Sequence, residues 1–294
     1  MFAMKNILVA LALCIASVLP ARQAVCAERI LAGGSGWNKI ALIRMDDGKI
    51  DWIYEIPEHR ECNSVDFTRE KNIIYANRSC ARLIDVKKNL LWEFMAAPGE
   101  EVHTARQLPS GGYLLGICGE PARIVELDRR GKISRETLFD TGIKGAHGQF
   151  RQIAKLKNGN YLVPLLNSRK VVEVAPGGAV KREFETGVSF FSAKELPNGN
   201  WLLSGDGGHI RELDPDSGKA VRSVSNANLE GARLLFATEV CPLKNGNLLV
   251  SNWNGHSSDK SQPKILQIDR SNRVVWTLPS GDEIGNVSAI CLVK

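Results

Sequence analysis

The chain has 294 residues, 44% of them apolar and 24% charged, with a formal net charge of +6. That length and apolar share allow a sizeable core in one large domain or two small ones. The basic residues are scattered, which excludes the clustered positive footprint of a nucleic-acid-binding protein.

Residues 1–27 read as a separate object. Lys5 precedes the apolar run "ILVALALCIASVL", and Val25 and Ala27 stand at the −3 and −1 positions of a small-residue cleavage site. The run is too short to span a bilayer, which takes about 20 residues, and Val25 is too bulky for a lipoprotein signal at Cys26. The expectation is a signal peptide cut near Ala27 and an exported, periplasmic or secreted protein. Residues 28–294 then form a single domain with no membrane span. Cleavage removes Lys5 and Arg22 and no acidic residue, leaving a mild charge of +4. Five cysteines remain, namely Cys62, Cys80, Cys118, Cys241 and Cys291. The odd number leaves at least one thiol unpaired. Cys241 and Cys291 read as small buried apolar side chains, and Cys62 with Cys80 is the one disulfide candidate.

From residue 107 a phrase recurs: "QLPSGGYLLGI", "KLKNGNYLVPL", "ELPNGNWLLSG", "PLKNGNLLVSN". Asn-Gly between runs of β-formers signals a tight hairpin with φ > 0 at both central residues. The turn glycines at 111, 159, 199 and 246 have a mean spacing of 45. Between them lies a second strand–turn–strand punctuation, as in "ELDRRGKISRETL" and "ELDPDSGKAVRSV", with earlier copies "LIRMDDGKIDWIYEI" and "LIDVKKNLLWEFM". Blade two carries a degenerate first hairpin with Lys71-Asn72 as its turn. Four strands per period, with no helical periodicity, predict an all-β fold, a six-bladed β-propeller of four-stranded blades. The last residues, "NVSAICLVK", resemble an inner strand with nothing after it, and "RILAGGSGWNKIALI" resembles a blade lacking its inner strand. Pairing the C-terminal strand into the N-terminal blade closes the ring and removes free sheet edges. The blades are then 29–58 with 286–294, 59–100, 101–144, 145–188, 189–234 and 235–285.

"GKIDWIY" and "NLLWEF" resemble the Gly-Lys-x-x-x-Trp tail of quinoprotein-type (PQQ-like) repeats, and "LPNGNWLLS" followed by "IRELDPDSGKAV" is similar to bacterial arylsulfotransferase repeats. The resemblance covers essentially all of 29–294 and lies in structural residues, so it implies the propeller fold rather than an activity. The family's catalytic histidine matches no local motif here, and no catalytic residue is carried over. The acidic and adjacent-cysteine features that hold a quinone and its metal are missing. No cofactor is predicted, pyrroloquinoline quinone included.

The repeat register places the chemistry. The channel-side starts of the inner strands are Asn63, His103, Arg151, Phe191 and Thr238. Two positions later stand Val65, Ala105, Ile153, Ala193 and Val240, uniformly apolar, which read as blade packing. The first set varies, as a shaped and asymmetric site would. Loops on the same face add His59, Arg60, Glu61, Glu101, His147, Gln149, Arg233 and Phe236. The loops between second and third strands add Trp37, Arg78, Arg169, His209, Trp253 and His256. The candidate ligand-binding residues at the channel mouth are therefore His59, Arg60, Asn63, His103, His147, Gln149, Arg151, Phe191, His209, Arg233 and Trp253. No metal is predicted: His59, His103 and His147 are 44 apart, yet no carboxylate-plus-histidine pattern accompanies them. Arginine suits carboxylate, sulfate or phosphate, and Trp or Phe offers a stacking wall.

Two functions follow. The first is a monomeric exported propeller that binds a small anionic or aromatic ligand, or a protein partner, at the channel mouth without catalysis. The alternative is an arylsulfotransferase-like or other transferase, hydrolase or lyase, using a channel-mouth histidine with arginines stabilising an anion.

Overall fold

The computed structural model describes residues 28–58, 61–279 and 283–293. The signal-peptide reading of residues 1–27, and His59 and Arg60, lie outside the described residues. The chain forms six four-stranded antiparallel sheets arranged as the blades of a propeller. The innermost strands are Ala289–Val293, Ser64–Phe67, Glu101–Gln107, Ala154–Lys155, Phe190–Glu195 and Ala237–Pro242, in blades one to six. Blade one closes the ring as expected. All five residues of Ala289–Val293 pair antiparallel with Arg29–Gly33, and that strand pairs with Lys39–Arg44.

The first hairpins form where the repeated phrase puts them, but their turns differ from the expected type. Gly111, Gly159, Gly199 and Gly246 have φ between +84° and +90°, whereas Asn158, Asn198 and Asn245 keep negative φ. Gly159 N–H donates to Leu156 O at 3.0 Å and Leu156 N–H to Asn160 O at 2.8 Å. This is a type I turn followed by a left-handed glycine, so only the glycine needs the left-handed region. Asparagine serves through its side chain instead: Asn158, Asn198 and Asn245 each accept the backbone N–H two residues on, at 3.0–3.1 Å.

In the second hairpins the third and fourth strands meet at a bulge in every blade. Just before that bulge stand six cross-strand pairs: Leu42 with Trp52, Leu83 with Trp92, Glu126 with Arg135, Glu173 with Arg182, Glu212 with Arg222, and Gln267 with Trp276. The outer position thus alternates between two flat side chains, tryptophan in blades one, two and six and arginine in three, four and five. Both can donate an N–H to the outer turn of the next blade. Trp52 Nε1 donates to Val86 O at 2.8 Å, Arg182 Nη1 to Pro215 O at 2.8 Å, and Arg222 Nη2 to Asp269 O at 2.6 Å. Nearer the axis, hydroxyls stitch neighbouring blades. Ser288 Oγ donates to Cys62 O, Ser64 Oγ to Ala105 O, Thr104 Oγ1 to Arg151 O and Ser251 Oγ to Val287 O, at 2.6–3.0 Å.

Val65, Ala105, Ile153, Ala193 and Val240 are all buried, as the register required of blade packing. Each apolar cluster joins residues of adjacent blades, for example Leu202 and Ile210 of blade five with Val240 and Leu248 of blade six. The proposed Cys62–Cys80 disulfide does not form. Both are buried free thiols, Cys62 against Ser64 O and Cys80 against Asn77, in contacts that use each sulfur separately. No helix among the described residues is long and apolar enough to cross a membrane.

Candidate functional site

A buried charge network joins blades across the ring. Glu239, fully buried, accepts from Arg106 Nη2, from Lys194 Nζ at 2.8 Å, from Gln152 Nε2 at 3.1 Å and from Ile290 N–H at 3.0 Å. Burial alone would push the Glu239 carboxyl up, but Arg106 and Lys194 hold it below its usual value. Gln152 also donates to Asn63 O at 2.6 Å, tying the network to the layer above. This network escapes the repeat register, whose channel-side starts and apolar ring two positions on do not include it. Glu239 and Gln152 stand one residue before that ring, and Arg106 and Lys194 one residue after it.

Above this network sits a hydrogen-bonded relay on blades two to four. Glu101 Oε2 accepts from His103 Nε2 at 2.8 Å and His147 Nδ1 at 2.9 Å, and its Oε1 lies 2.6 Å from Arg78 Nη2. Asn63 Nδ2 donates to Glu61 Oε2 at 3.0 Å and lies 3.2 Å from His103 Nδ1. An amide N–H can face only an acceptor, so His103 carries its proton on Nε2, toward Glu101. His147 donates from Nδ1 by the same reasoning and turns Nε2 outward. Burial would raise the Glu101 carboxyl, yet the two imidazoles hold it well below the usual carboxylate range.

Burial, with Arg151 nearby, lowers His103 to about 4 against the opposing pull of Glu101 and Glu61. The unfolded chain therefore binds more protons between about pH 6.5 and pH 4, so stability falls as pH falls through that window. The expected loss attributable to His103 is on the order of 3 kcal/mol. Urea unfolding at pH 7, 5.5 and 4.5, compared with His103→Gln, checks it, since the variant should have the shallower slope.

Glu101, His103 and His147 offer ligand atoms within 4.8 Å of one another, the one such group among the described residues. The combination of carboxylate and histidine that the sequence did not display is thus assembled across blades three and four. It suits a cation poorly. The lone pair of His103 faces Asn63 rather than the cluster, and Arg78 holds the second oxygen of Glu101. Arg151 Nη2 lies 3.1 Å from His147 Nε2.

The mouth is a cavity of about 880 Å³ with two unlike walls. Glu61, Asn63, His147 and Arg151 form one. The other is a run of rings: Phe191 and Phe236 with centroids 5.7 Å apart, Phe236 and Trp253 6.0 Å, Trp253 and His256 4.7 Å. Trp253 Nε1 donates to Ser35 O across to blade one at 3.3 Å. Arg151 is 6% exposed and anchored by Nη1 on His147 O at 2.8 Å and Phe150 O at 3.0 Å. Its nearest carboxylate in ion-pair range is Glu61, 4.0 Å away. Burial lowers the affinity of the guanidinium for its proton.

Of the sequence candidates, the fold brings Asn63, His147, Arg151, Phe191, Arg233 and Trp253 to this cavity. His103 lies beneath it, fully buried, and is hydrogen-bonded to Glu101. Gln149 is buried and spends its amide on Gly119 N–H, Gly119 O and Ile143 O, bracing a loop. His209 sits in the turn beside Gly207 and does not line the cavity; its neighbour Asp206 does.

The family model of Mal s 1 allergenic protein-like proteins matches residues 36–272. A protein of unknown function from Bacteroides caccae is similar at 38% identity and TM-score 0.87, over 91% of this chain and 99% of that one. A catalytically inactive virginiamycin B lyase from Staphylococcus aureus with quinupristin is similar at 16% identity and TM-score 0.61, over 90% and 88%. A streptogramin B lyase gives 12% identity and TM-score 0.60, over 87% and 80%. At such identities the lyases share the fold alone. No curated protein matches the chain. The likeness these comparisons support is to this family and to the propeller, not to quinoprotein or arylsulfotransferase repeats.

Proposed function

The chain belongs to the Mal s 1 allergenic protein-like family, and on that premise we propose that its propeller binds a small anionic ligand with an aromatic body in the channel mouth. Arg151 carries the reading: a nearly buried cation, held rigidly by carbonyls, with its closest carboxylate at 4.0 Å, opposite a wall of rings. An under-compensated buried charge gains most from an incoming anion. The charge network below gives the cavity a polar floor. The reading invokes no cofactor. The charged start, apolar run and small-residue site in residues 1–27 support export.

Titration with benzoate, phenyl phosphate and phenyl sulfate, followed by tryptophan fluorescence, tests this. The expected result is a saturable change that disappears in Trp253→Phe. Arg151→Met should weaken binding roughly ten- to hundred-fold, as loss of a charge-assisted hydrogen bond implies. Benzyl alcohol should bind far more weakly than the anions. Equal affinity in wild type and Arg151→Met would remove the proposal.

One observation favours a second reading, acid–base catalysis. His147 is oriented by Glu101 through Nδ1 and presents Nε2 beside Arg151 at the cavity, an arrangement suited to proton transfer next to a stabilised anion. Consumption of a bound ligand that stops in His147→Gln, with binding retained, would distinguish an enzyme of the lyase or transferase kind from a binding protein.

A further inference from the structure

The interfaces between blades are filled by a rule, and one interface breaks it. The outer position of one blade faces a residue of the next blade's second strand, the one paired with that blade's bulge: Ile73, Tyr113, Tyr161, Trp201, Leu248 and, closing the ring, Ile30. Where the outer position is tryptophan, the indole fills the gap, as Trp92 does against Tyr113 with centroids 5.1 Å apart. Where it is arginine, an aromatic fills from the other side. Tyr161 meets the blade of Arg135 and donates to Glu126 at 2.6 Å, and Trp201 meets Phe184 of the blade of Arg182 with centroids 5.8 Å apart. Between blades five and six the pair is Arg222 and Leu248, and neither is aromatic.

A groove of about 600 Å³ occupies that place. Its walls are apolar, from Leu196, Leu202, Ile210, Val224 and Leu248, and it also holds Arg222, Arg270 and Glu212. Among the described residues neither arginine has a carboxylate within ion-pair distance, although the charges of Glu212 and Asp269 reach Arg222 from further away. Arg222 uses Nη2 on the Asp269 carbonyl, and its buried Nε has no partner. Arg270 lies over Gly246 with no hydrogen bond among the described residues, whereas Arg129, over Gly111 in blade three, donates to Ser110 O at 3.2 and 3.4 Å. The acid lining the groove is held back from the guanidiniums by amides: Glu212 Oε1 accepts from Asn198 at 3.0 Å and Asn200 at 2.6 Å. Asp269 keeps its carboxylate for Arg273, at 2.9 and 3.1 Å.

We propose that this groove between blades five and six is a second binding site, for a carboxylate carried on an apolar chain. The apolar walls take the chain, and the guanidiniums of Arg222 and Arg270 take the head group. The site is bounded by the inner-hairpin turn of blade five and that of blade six, at the end of the blades opposite the channel mouth. It therefore stands independently of any ligand in the central cavity.

Calorimetric titration with octanoate, against octanol and acetate, tests the assignment. Octanoate should bind saturably at one site, and octanol and acetate at least ten-fold more weakly. Arg222→Met and Arg270→Met should each weaken octanoate binding by roughly ten-fold or more. Leu248→Trp, which restores the missing ring, should abolish binding while keeping or raising the melting temperature. Arg151→Met should leave octanoate binding unchanged, which separates this site from the mouth. Absence of saturable binding, equal binding of octanol, wild-type binding in a folded Leu248→Trp or in both arginine variants, or loss of binding in Arg151→Met would each overturn the proposal.

Discussion

Deletion of residues 289–294 is expected to abolish the cooperative unfolding transition and leave the chain aggregating. The strand Ala289–Val293 supplies every inner pairing of blade one, and Ala289 and Ile290 are fully buried. Its loss bares the whole edge of Arg29–Gly33, a template for pairing with other chains. It also removes the contact of Ile290 N–H with Glu239 and opens the seams of blade one with blades six and two, where Ile290 packs with Leu249 and Ala289 with Val65. Ile290→Ala alone should cost about 2–5 kcal/mol, a large part of the 5–15 kcal/mol typical of a folded domain. Circular dichroism melts and size-exclusion chromatography of the deletion and of Ile290→Ala check this. A truncated chain that melts as the full one does would mean that ring closure contributes little.

Glu239→Leu should be almost as damaging, for an electrostatic reason. The carboxylate is the shared partner of Arg106 and Lys194. Removing it strands two cations away from bulk water, which costs about 3–5 kcal/mol for a broken buried pair. The triple change Glu239→Leu, Arg106→Met, Lys194→Met removes the cations as well and should recover most of the loss, because an apolar filling of similar volume is close to neutral. Urea midpoints of the single and triple variants decide the matter. A triple variant no more stable than the single would show that the network acts through packing rather than charge compensation.

Some of the architecture is written locally. The glycine of each inner turn and the pattern of β-formers around it specify hairpins without reference to the rest of the chain, so blade number and ring closure could be read from spacing. The turn type could not be assigned in the same way, because Asn-Gly is compatible with two hairpin geometries. The extra residue of the loop selects the one in which asparagine works through its side chain. The paired thiols inferred at Cys62 and Cys80 failed because proximity in sequence said nothing about which groups surround each sulfur.

The residues of the channel mouth divide along the same line. Asn63, Arg151 and Phe191 reach the cavity from a position that is a fixed count from a turn, and Arg233 and Trp253 from loops on that face. His103 shares the fixed count and Gln149 the loops, but both point inward, since their polar atoms find buried partners in Glu101 and Gly119. The Glu101 relay and the Glu239 network join residues 46 and 133 positions apart, and pairings of such range depend on how blades face one another.

By itself, then, the order of amino acids settled the element type, the repeat count and the face on which variable side chains gather, because hydrogen-bonded turns and alternating burial are short-range effects. Which charges neutralise one another, which histidine is sealed from water and which seam between blades stays unfilled were settled only in three dimensions. Coulomb energy, desolvation and packing depend on neighbours that the chain brings together from distant blades.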